Sequence, residues 1–452
     1  MQPPVHRIWF RNPLAVLADA PADGGVVVEG TVISEVLAAG EEPAGPVEET
    51  IDASESVLLP GLINTHHHYY QTLTRACPWA LDKALFPWLK SLYPIWAGLD
   101  LEMVEVATEL ACAELLLSGC TTSADHHYLF PPAAASAIDV QVETLRRIGQ
   151  RTVLTRGSMS LGEDQGGLPP ASVVQDRDEI LADSARLVDR YHDPAPGSML
   201  QVALAPCSPF SVSRELMVET AALARDRGVR LHTHLAETED ENAFCERNYG
   251  MRPLDYLETV EWLADDVWLA HGIHFDDREM GMLGEAGVGV THCPSSNMLL
   301  GSGQCRTLEL ERAGCRLGLG VDGSASNDGS NMVQEVRQAF LLQRLRYGAA
   351  SVSHLDALRW ATTGSAGCLG RTDIGAIAPG MQADLALFRP DEPNFSGAGD
   401  PLAALVLCGA RKAHDVMVAG NWRVRAGEIP GLDLAELQVR HGALARRLQG
   451  IG

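Results

Sequence analysis

Lysine is nearly missing from this chain. Lys83, Lys90 and Lys412 are the only three in 452 residues, and the formal net charge is −24. Phosphate backbones are bound by clustered lysine and arginine, so nucleic acid is not an expected partner. Long apolar runs are missing too. None approaches the ~20 residues that a membrane helix needs, so no membrane partner is expected. The stretch from Met1 to Gly25 has Pro3, Pro4, Arg7 and Arg11 but no sustained apolar core with a cleavage pattern, which argues against a targeting segment. The ten cysteines are scattered and never spaced C-x-x-C, and a chain of this size needs no disulfide staples. They read as reduced, buried small hydrophobes of a cytoplasmic protein.

What is present is a large apolar fraction, 46% against 21% charged residues, ample for a large core. Short strands open the chain at Arg7–Phe10, Val26–Ile33 and Val36–Leu37. A similar texture returns at Ala383–Phe388, Val406–Leu407 and Val416–Trp422. As separate tails these would leave several open strand edges, so both chain ends are expected to meet in one small β-sandwich domain. Between them, eight apolar stretches alternate with helical patterns such as Met103–Leu117 and Arg214–Arg227. The stretches are Val57–Ile63, Gly119–Asp125, Arg151–Arg156, Met199–Ala205, Val229–His234, Val267–His271, Val288–His292 and Arg316–Asp322. This α/β repeat predicts a (β/α)8 TIM barrel. An open doubly wound sheet is disfavoured, because no Gly-rich phosphate loop follows the first strand. The expected division gives residues 1–58 and 371–428 to the small β-domain, 59–370 to a metal-dependent barrel and 429–452 to a C-terminal helix.

A barrel's active site lies at the C-terminal ends of its strands. Strand one ends at His66 and His68, which share a face while His67 points away. Strand two ends at Asp125-His126-His127, strand five at His234 with Glu237 beyond, strand six at His271, strand seven at His292 and strand eight at Asp322. Ten of the fifteen histidines (66–68, 126, 127, 232, 234, 271, 274 and 292) fall at these ends, a clustering that structural histidines would not reach by scatter. Neutral imidazole suits zinc and iron, and a catalytic zinc keeps an open position beside three or four protein ligands. The best ligand set is His66, His68, His234 and Asp322, holding one divalent metal ion, zinc first and iron as the alternative.

Together these pieces resemble the amidohydrolase superfamily, in its branch of cytosine deaminases, guanine deaminases and triazine hydrolases. The carrying motifs are Pro60-Gly61-x-x-Asn64-x-His66-x-His68, His234-x-x-Glu237, Ala270-His271-Gly272, His292-x-Pro294-x-Ser296-Asn297, Gly320-x-Asp322-Gly323 and Gly380-Met381-x-Ala383-Asp384-Leu385. The likeness covers nearly the whole chain. Binuclear hydrolases on this scaffold often bridge two metals with a carboxylated lysine on the fourth strand. None of the three lysines lies on a strand from the second to the eighth, so a single-metal site is expected. The zinc deaminases of the other fold, with H-x-E and P-C-x-x-C signatures, are excluded, because Pro206-Cys207 lacks the second cysteine.

Within the branch, Asn64–Arg75, Ser91–Trp96, Thr121–Tyr128 and Arg156–Gly162 are most similar to members acting on oxidised purines. The resemblance implies hydrolytic deamination of 8-oxoguanine at C2, giving urate and ammonia. Isoxanthopterin, guanine or an s-triazine are the alternative substrates. A non-catalytic binding protein on the same barrel is the remote alternative, and it would be expected to have lost ligands or the glutamate. Guanine deaminases carry an arginine near the end of strand four, where this chain has Pro206-Cys207-Ser208, which argues against plain guanine. Barrels of this family commonly associate, which implies a homo-oligomer acting on a small heterocyclic substrate.

In the implied chemistry a divalent metal makes hydroxide available near neutral pH. Asp322 ligates and takes the water's proton, and His271 orients the nucleophile. Glu237 delivers a proton to the ring nitrogen and later to departing ammonia. Gln71, three residues past His68, matches a purine-contacting glutamine of guanine deaminase; the other reading is a solvated helix-start residue. Arg156 and Ser208 are candidates for contacts with ring carbonyls. Trp79, Phe86, Trp88, Tyr93 and Trp96 either cover the site as a lid or pack between loop, barrel and subunit. His126, His127 and His292 are candidates for orienting ligands. Cys293 stands where many relatives have asparagine.

Overall fold

The computed structural model describes residues 6–451; the expected first and last segments extend beyond these, to residues 1–5 and 452. Eight parallel strands form one sheet in chain order: Leu62–Asn64, Cys120–His127, Arg151–Ser158, Leu200–Pro206, Leu231–Leu235, Val267–His271, Gly289–His292 and Arg316–Leu319. The sheet closes on itself. Thr65 N–H donates to the Leu319 carbonyl at 2.9 Å, and Asp322 N–H donates to the His66 carbonyl at 3.0 Å. This is the expected (β/α)8 barrel. Its strands are buried on both faces, so their sequences show no simple apolar/polar alternation, and polar residues such as Thr121, Thr122, Ser123 and Thr155 are buried along with the apolar ones. Ile63, Ala124, Val153, Ala203 and Trp268 fill the interior, joined from below by Ala366, Cys368 and Leu369. Helices cover the outside. Leu101–Leu117 begins where the Asp100 carboxylate accepts the Met103 N–H at 2.9 Å. No helix among the described residues is long and apolar enough to cross a membrane.

The two chain ends meet as expected. One sheet orders Val32–Leu37, Gly25–Glu29, Arg7–Arg11 and Glu49–Asp52; the other orders Asn421–Val424, Asp415–Val418, Leu385–Phe388, Val57–Pro60 and Ala15–Val16. Ile8, Phe10, Val26 and Val28 of the first pack with Leu58, Leu385, Leu387 and Met417 of the second. A buried ion pair ties this domain to the bottom of the barrel. Arg151 meets Asp384 through Nε–Oδ2 at 2.8 Å and Nη2–Oδ1 at 3.0 Å.

Four expected strands need correction. Val57–Ile63 is not one barrel strand. Val57–Pro60 pairs antiparallel with Leu385–Phe388, and only Leu62–Asn64 enters the barrel. The chain changes sheets at Gly61, where a Cβ would come within 2.1 Å of Thr121 Oγ1. Val26–Ile33 and Val416–Trp422 each fold into a hairpin, turning at Gly30-Thr31 and Ala419-Gly420. Positive φ at Gly30, Ala419 and Gly420 supplies those tight turns. Val406–Leu407 lies in the helical turn Leu405–Gly409, because an apolar doublet is too short for its period to distinguish strand from helix.

Candidate metal centre and active site

The strand ends bring the predicted side chains together through strained backbone. His271 has φ +73° and Asp322 φ +62°, and Ala236 between His234 and Glu237 has φ +53°. Non-glycine residues held there carry about 1–3 kcal/mol of strain each, tolerated where a side chain must be aimed. His66, His68, His234, His271 and Asp322 are all buried. Asp322 Oδ1 lies 3.3 Å from Nε2 of both His66 and His68, and His68 Nε2 lies 3.2 Å from His234 Nε2. Two overlapping sets are compact enough to hold one ion: His66, His68, His126 and His234, and His66, His234, His271 and Asp322.

The hydrogen bonds fix which ring nitrogens face inward. Carbonyls only accept, so Nδ1 of His68 donates to the His126 carbonyl at 2.7 Å, and Nδ1 of His234 donates to the Cys207 carbonyl at 2.7 Å. His232 Nδ1 donates to the Trp268 carbonyl at 2.8 Å, which leaves its Nε2 to accept from His66 Nδ1 at 2.8 Å. All three rings therefore turn an unprotonated Nε2 to the same point. Burial holds His66 and His234 well below the usual imidazole range, with neighbouring imidazoles adding to the effect. His66 Nε2 has no hydrogen-bond partner. For Asp322, burial works against the charge, yet the adjoining His66, His68 and His271 rings hold its carboxyl below the ordinary carboxylate value. Its carboxylate also accepts Gly323 N–H at 2.7 Å and Ser296 Oγ–H at 2.6 Å. Three converging lone pairs and a carboxylate repel one another unless a cation lies among them. That donor set fits a divalent transition metal.

Glu237 stands beside this cluster. Its Oε2 is 3.4 Å from His271 Nε2, and its Oε1 is buried without a partner. Burial, and then the Asp322 charge, push its carboxyl well above the usual range. His271 Nδ1 is engaged by Asn297 Oδ1 at 3.1 Å, so Nε2 is the atom it offers to the site. Above the cluster opens a cavity whose empty space, counted out into open solvent, is about 370 Å³. One wall is His68, His234, His271, Glu237 and Asp322; much of the other is Leu85, Trp88, Leu89, Phe210 and Leu300.

Residues 57–423 match the model of the amidohydrolase family. The chain belongs to the amidohydrolase family. It is 59% identical to an 8-oxoguanine deaminase of Pseudomonas aeruginosa, over 98% of this chain and 99% of that enzyme. It is 36% identical to an isoxanthopterin deaminase from an unknown prokaryotic organism, over 89% and 87% of the two chains. Among solved structures it resembles atrazine chlorohydrolase from Arthrobacter aurescens complexed with zinc, with a TM-score of 0.90 and 33% identity, over 97% of this chain and 100% of that one.

This amidohydrolase places most of its predicted site residues in the cavity wall, but not all. Gln71 lines it, with Oε1 accepting Ala325 N–H at 3.3 Å. Arg156 does not. It points out toward the helix layer, where Nε donates to Asp183 at 3.0 Å, Nη2 donates to Gln175 at 3.0 Å, and the guanidinium lies 3.9 Å from the Phe130 ring centre. Ser208 is bonded to Ser211 at 2.7 Å, and Cys207, one position earlier, faces the cavity instead. Both choices rest on strand parity, which a sequence leaves open by one residue. Of the loop aromatics, Trp88 and Tyr93 line the cavity, Trp96 packs on Tyr70, Phe86 on Phe210, and Trp79 is exposed. His126 stacks on His234, with ring centres 4.7 Å apart, and donates from Nε2 to Ala205 O. His127 and His292 bond to Leu129 O and Gln343, away from the cluster.

Sequence reasoning assigned no role to His232, Ser296, Asn297, Tyr128 or Glu241. Ser296 and Asn297 stood in a motif already in view. Glu241 is one helical turn past Glu237, and its Oε2 accepts the Glu237 N–H at 3.0 Å.

Proposed function

We propose that the chain is a metal-dependent aminohydrolase that converts 8-oxoguanine to urate and ammonia. The observation that carries the reaction class is the convergence of three imidazole lone pairs and a carboxylate beneath a cavity, with a buried glutamate beside them whose Oε1 has no partner. The substrate is supported by the 59% identity to the Pseudomonas enzyme over the whole chain.

In this reading His66, His68, His234 and Asp322 hold one divalent metal, zinc as in the structural relative or iron. When bound, it supplies the Lewis acidity that brings a water's pKa toward neutrality. Asp322 accepts the proton of the attacking water. His271, fixed by Asn297, orients that water toward C2 of the ring. Glu237, whose carboxyl burial and the Asp322 charge push well above the usual range, hands a proton to the ring nitrogen beside C2 and later carries one to departing ammonia. Gln71 contacts the purine from the side of Asp322. The site residues thus read as Glu237, His271 and Asp322 for catalysis and Gln71 and Glu237 for substrate. A cytoplasmic homo-oligomer completes the reading: ten unpaired cysteines fit a reducing compartment, and Leu341 and Leu345 are exposed on one helix.

The test is zinc-loaded protein incubated in parallel with 8-oxoguanine, guanine and isoxanthopterin, followed by ultraviolet spectra and ammonia release. Urate formed at a kcat/KM well above the other two supports the proposal. Preferential turnover of isoxanthopterin, the substrate named for the 36% identical relative, would replace the substrate and keep the mechanism.

A further inference from the structure

One polar group in the cavity wall is left without a role. Tyr93 is fully buried, lines the cavity, and its hydroxyl has no hydrogen-bond partner. It belongs to the helix Leu85–Trp96, which spans the barrel mouth. The other residues that this helix places in the wall are Leu85, Trp88 and Leu89, and the Trp88 indole N–H is already given to the Ala325 carbonyl at 3.2 Å. The Tyr93 hydroxyl is therefore the single unengaged polar atom that the helix offers to a ligand. A buried hydroxyl without a partner is unfavourable, and such groups persist where a ligand supplies the missing bond. Burial also raises the phenol well above its ordinary pKa, so it stays a donor.

The polar edge it meets follows from the position of the chemistry. Asp322 and Glu237 fix C2 of the ring. Gln71 sits against the loop after strand eight, where its Oε1 accepts the Ala325 N–H, so in the reading above it faces the C2 side of the ring. C8 is at the opposite end of the bicycle from C2, so with C2 held at the floor of the cavity in that reading, the C8 end would face the covering helix. We propose that the Tyr93 hydroxyl donates a hydrogen bond to the C8 oxygen of the bound purine and so sets the preference for 8-oxidised rings. This rests on the substrate reading above.

The test compares wild type and Tyr93→Phe, both zinc-loaded, by calorimetric binding of urate and xanthine, which differ in the C8 oxygen and the ring N–H and acidity that come with it, a difference that cancels when each ligand is compared between the two proteins. Removing the hydroxyl takes no bond from the protein and keeps the ring packed edge-on against Trp96, so the melting temperature is expected to hold or rise. Urate affinity is expected to fall about tenfold or more while xanthine affinity is unchanged. The kcat/KM for 8-oxoguanine should fall with urate affinity. Equal losses for both ligands, or none for urate, overturn the C8 contact. A wild type that makes no urate from 8-oxoguanine overturns the substrate reading and this assignment together. A wild type that makes urate, with Tyr93→Phe indistinguishable from it, overturns only the assignment.

Discussion

The two ends of the barrel bury charged groups in opposite ways. At the N-terminal end, Arg151 and Asp384 meet in a two-bond ion pair. The remaining Arg151 donors reach the Gly197 and Ser198 carbonyls at 2.7 and 2.6 Å, and Asp384 also takes the Ala419 N–H at 2.7 Å. Every nitrogen of that guanidinium has a partner. At the C-terminal end, three imidazole nitrogens and a carboxylate face one another, His66 Nε2 has no hydrogen-bond partner, and the backbone that aims His271 and Asp322 is left-handed. A finished network locks domains together; an unfinished one marks where a ligand completes it.

Mutations at the two ends should therefore fail differently. At the top, Glu237→Gln is expected to lower kcat by on the order of 10²–10⁴ with metal content and melting temperature retained, since a neutral amide suits that buried position. A matched loss of activity and folding would erase the contrast. At the bottom, Arg151→Met strands the Asp384 carboxylate and should lower unfolding free energy by about 3–5 kcal/mol, measured by denaturant titration. The protein that remains folded should keep its kcat.

A smaller effect sharpens the comparison within the top. Burial, and then the Glu237 charge, raise Glu241 from 4.5 to about 8 despite the Glu237 N–H it accepts. An acid whose folded pKa is raised contributes stability that is full below pH 4.5 and is lost as pH climbs toward about 8. Glu241→Gln keeps an acceptor for Glu237 N–H and should flatten that decline. Melting temperatures of both proteins from below pH 4.5 to above pH 8 would read it, and parallel curves would refute it.

The meeting of His66, His68, His234 and Asp322 was legible in the sequence because barrel strands put their functional residues at known ends, and alternation placed His66 and His68 on one face. The eight strands were legible because short segments rich in apolar and small residues recur between helical patterns, although Cys120–His127 is mostly polar. The cavity wall was less so. Arg156 and Ser208 were one parity step from facing the site, and parity is decided by packing against helices distant in sequence. His232 orients His66 across the barrel, a contact between residues far apart in the chain that no local spacing encodes. Gly61 hid a change of sheet inside one apolar run, because a strand of either sheet reads the same.

The central claim is that one metal sits among His66, His68, His234 and Asp322. A crystal of zinc-loaded protein, measured across the zinc absorption edge, tests it most directly. The account predicts one anomalous peak per chain, in contact with the Nε2 atoms of those three histidines and with Asp322, and its loss in His234→Ala. A second peak in the same barrel mouth, or a peak on His126 or His271 in place of Asp322, would contradict it.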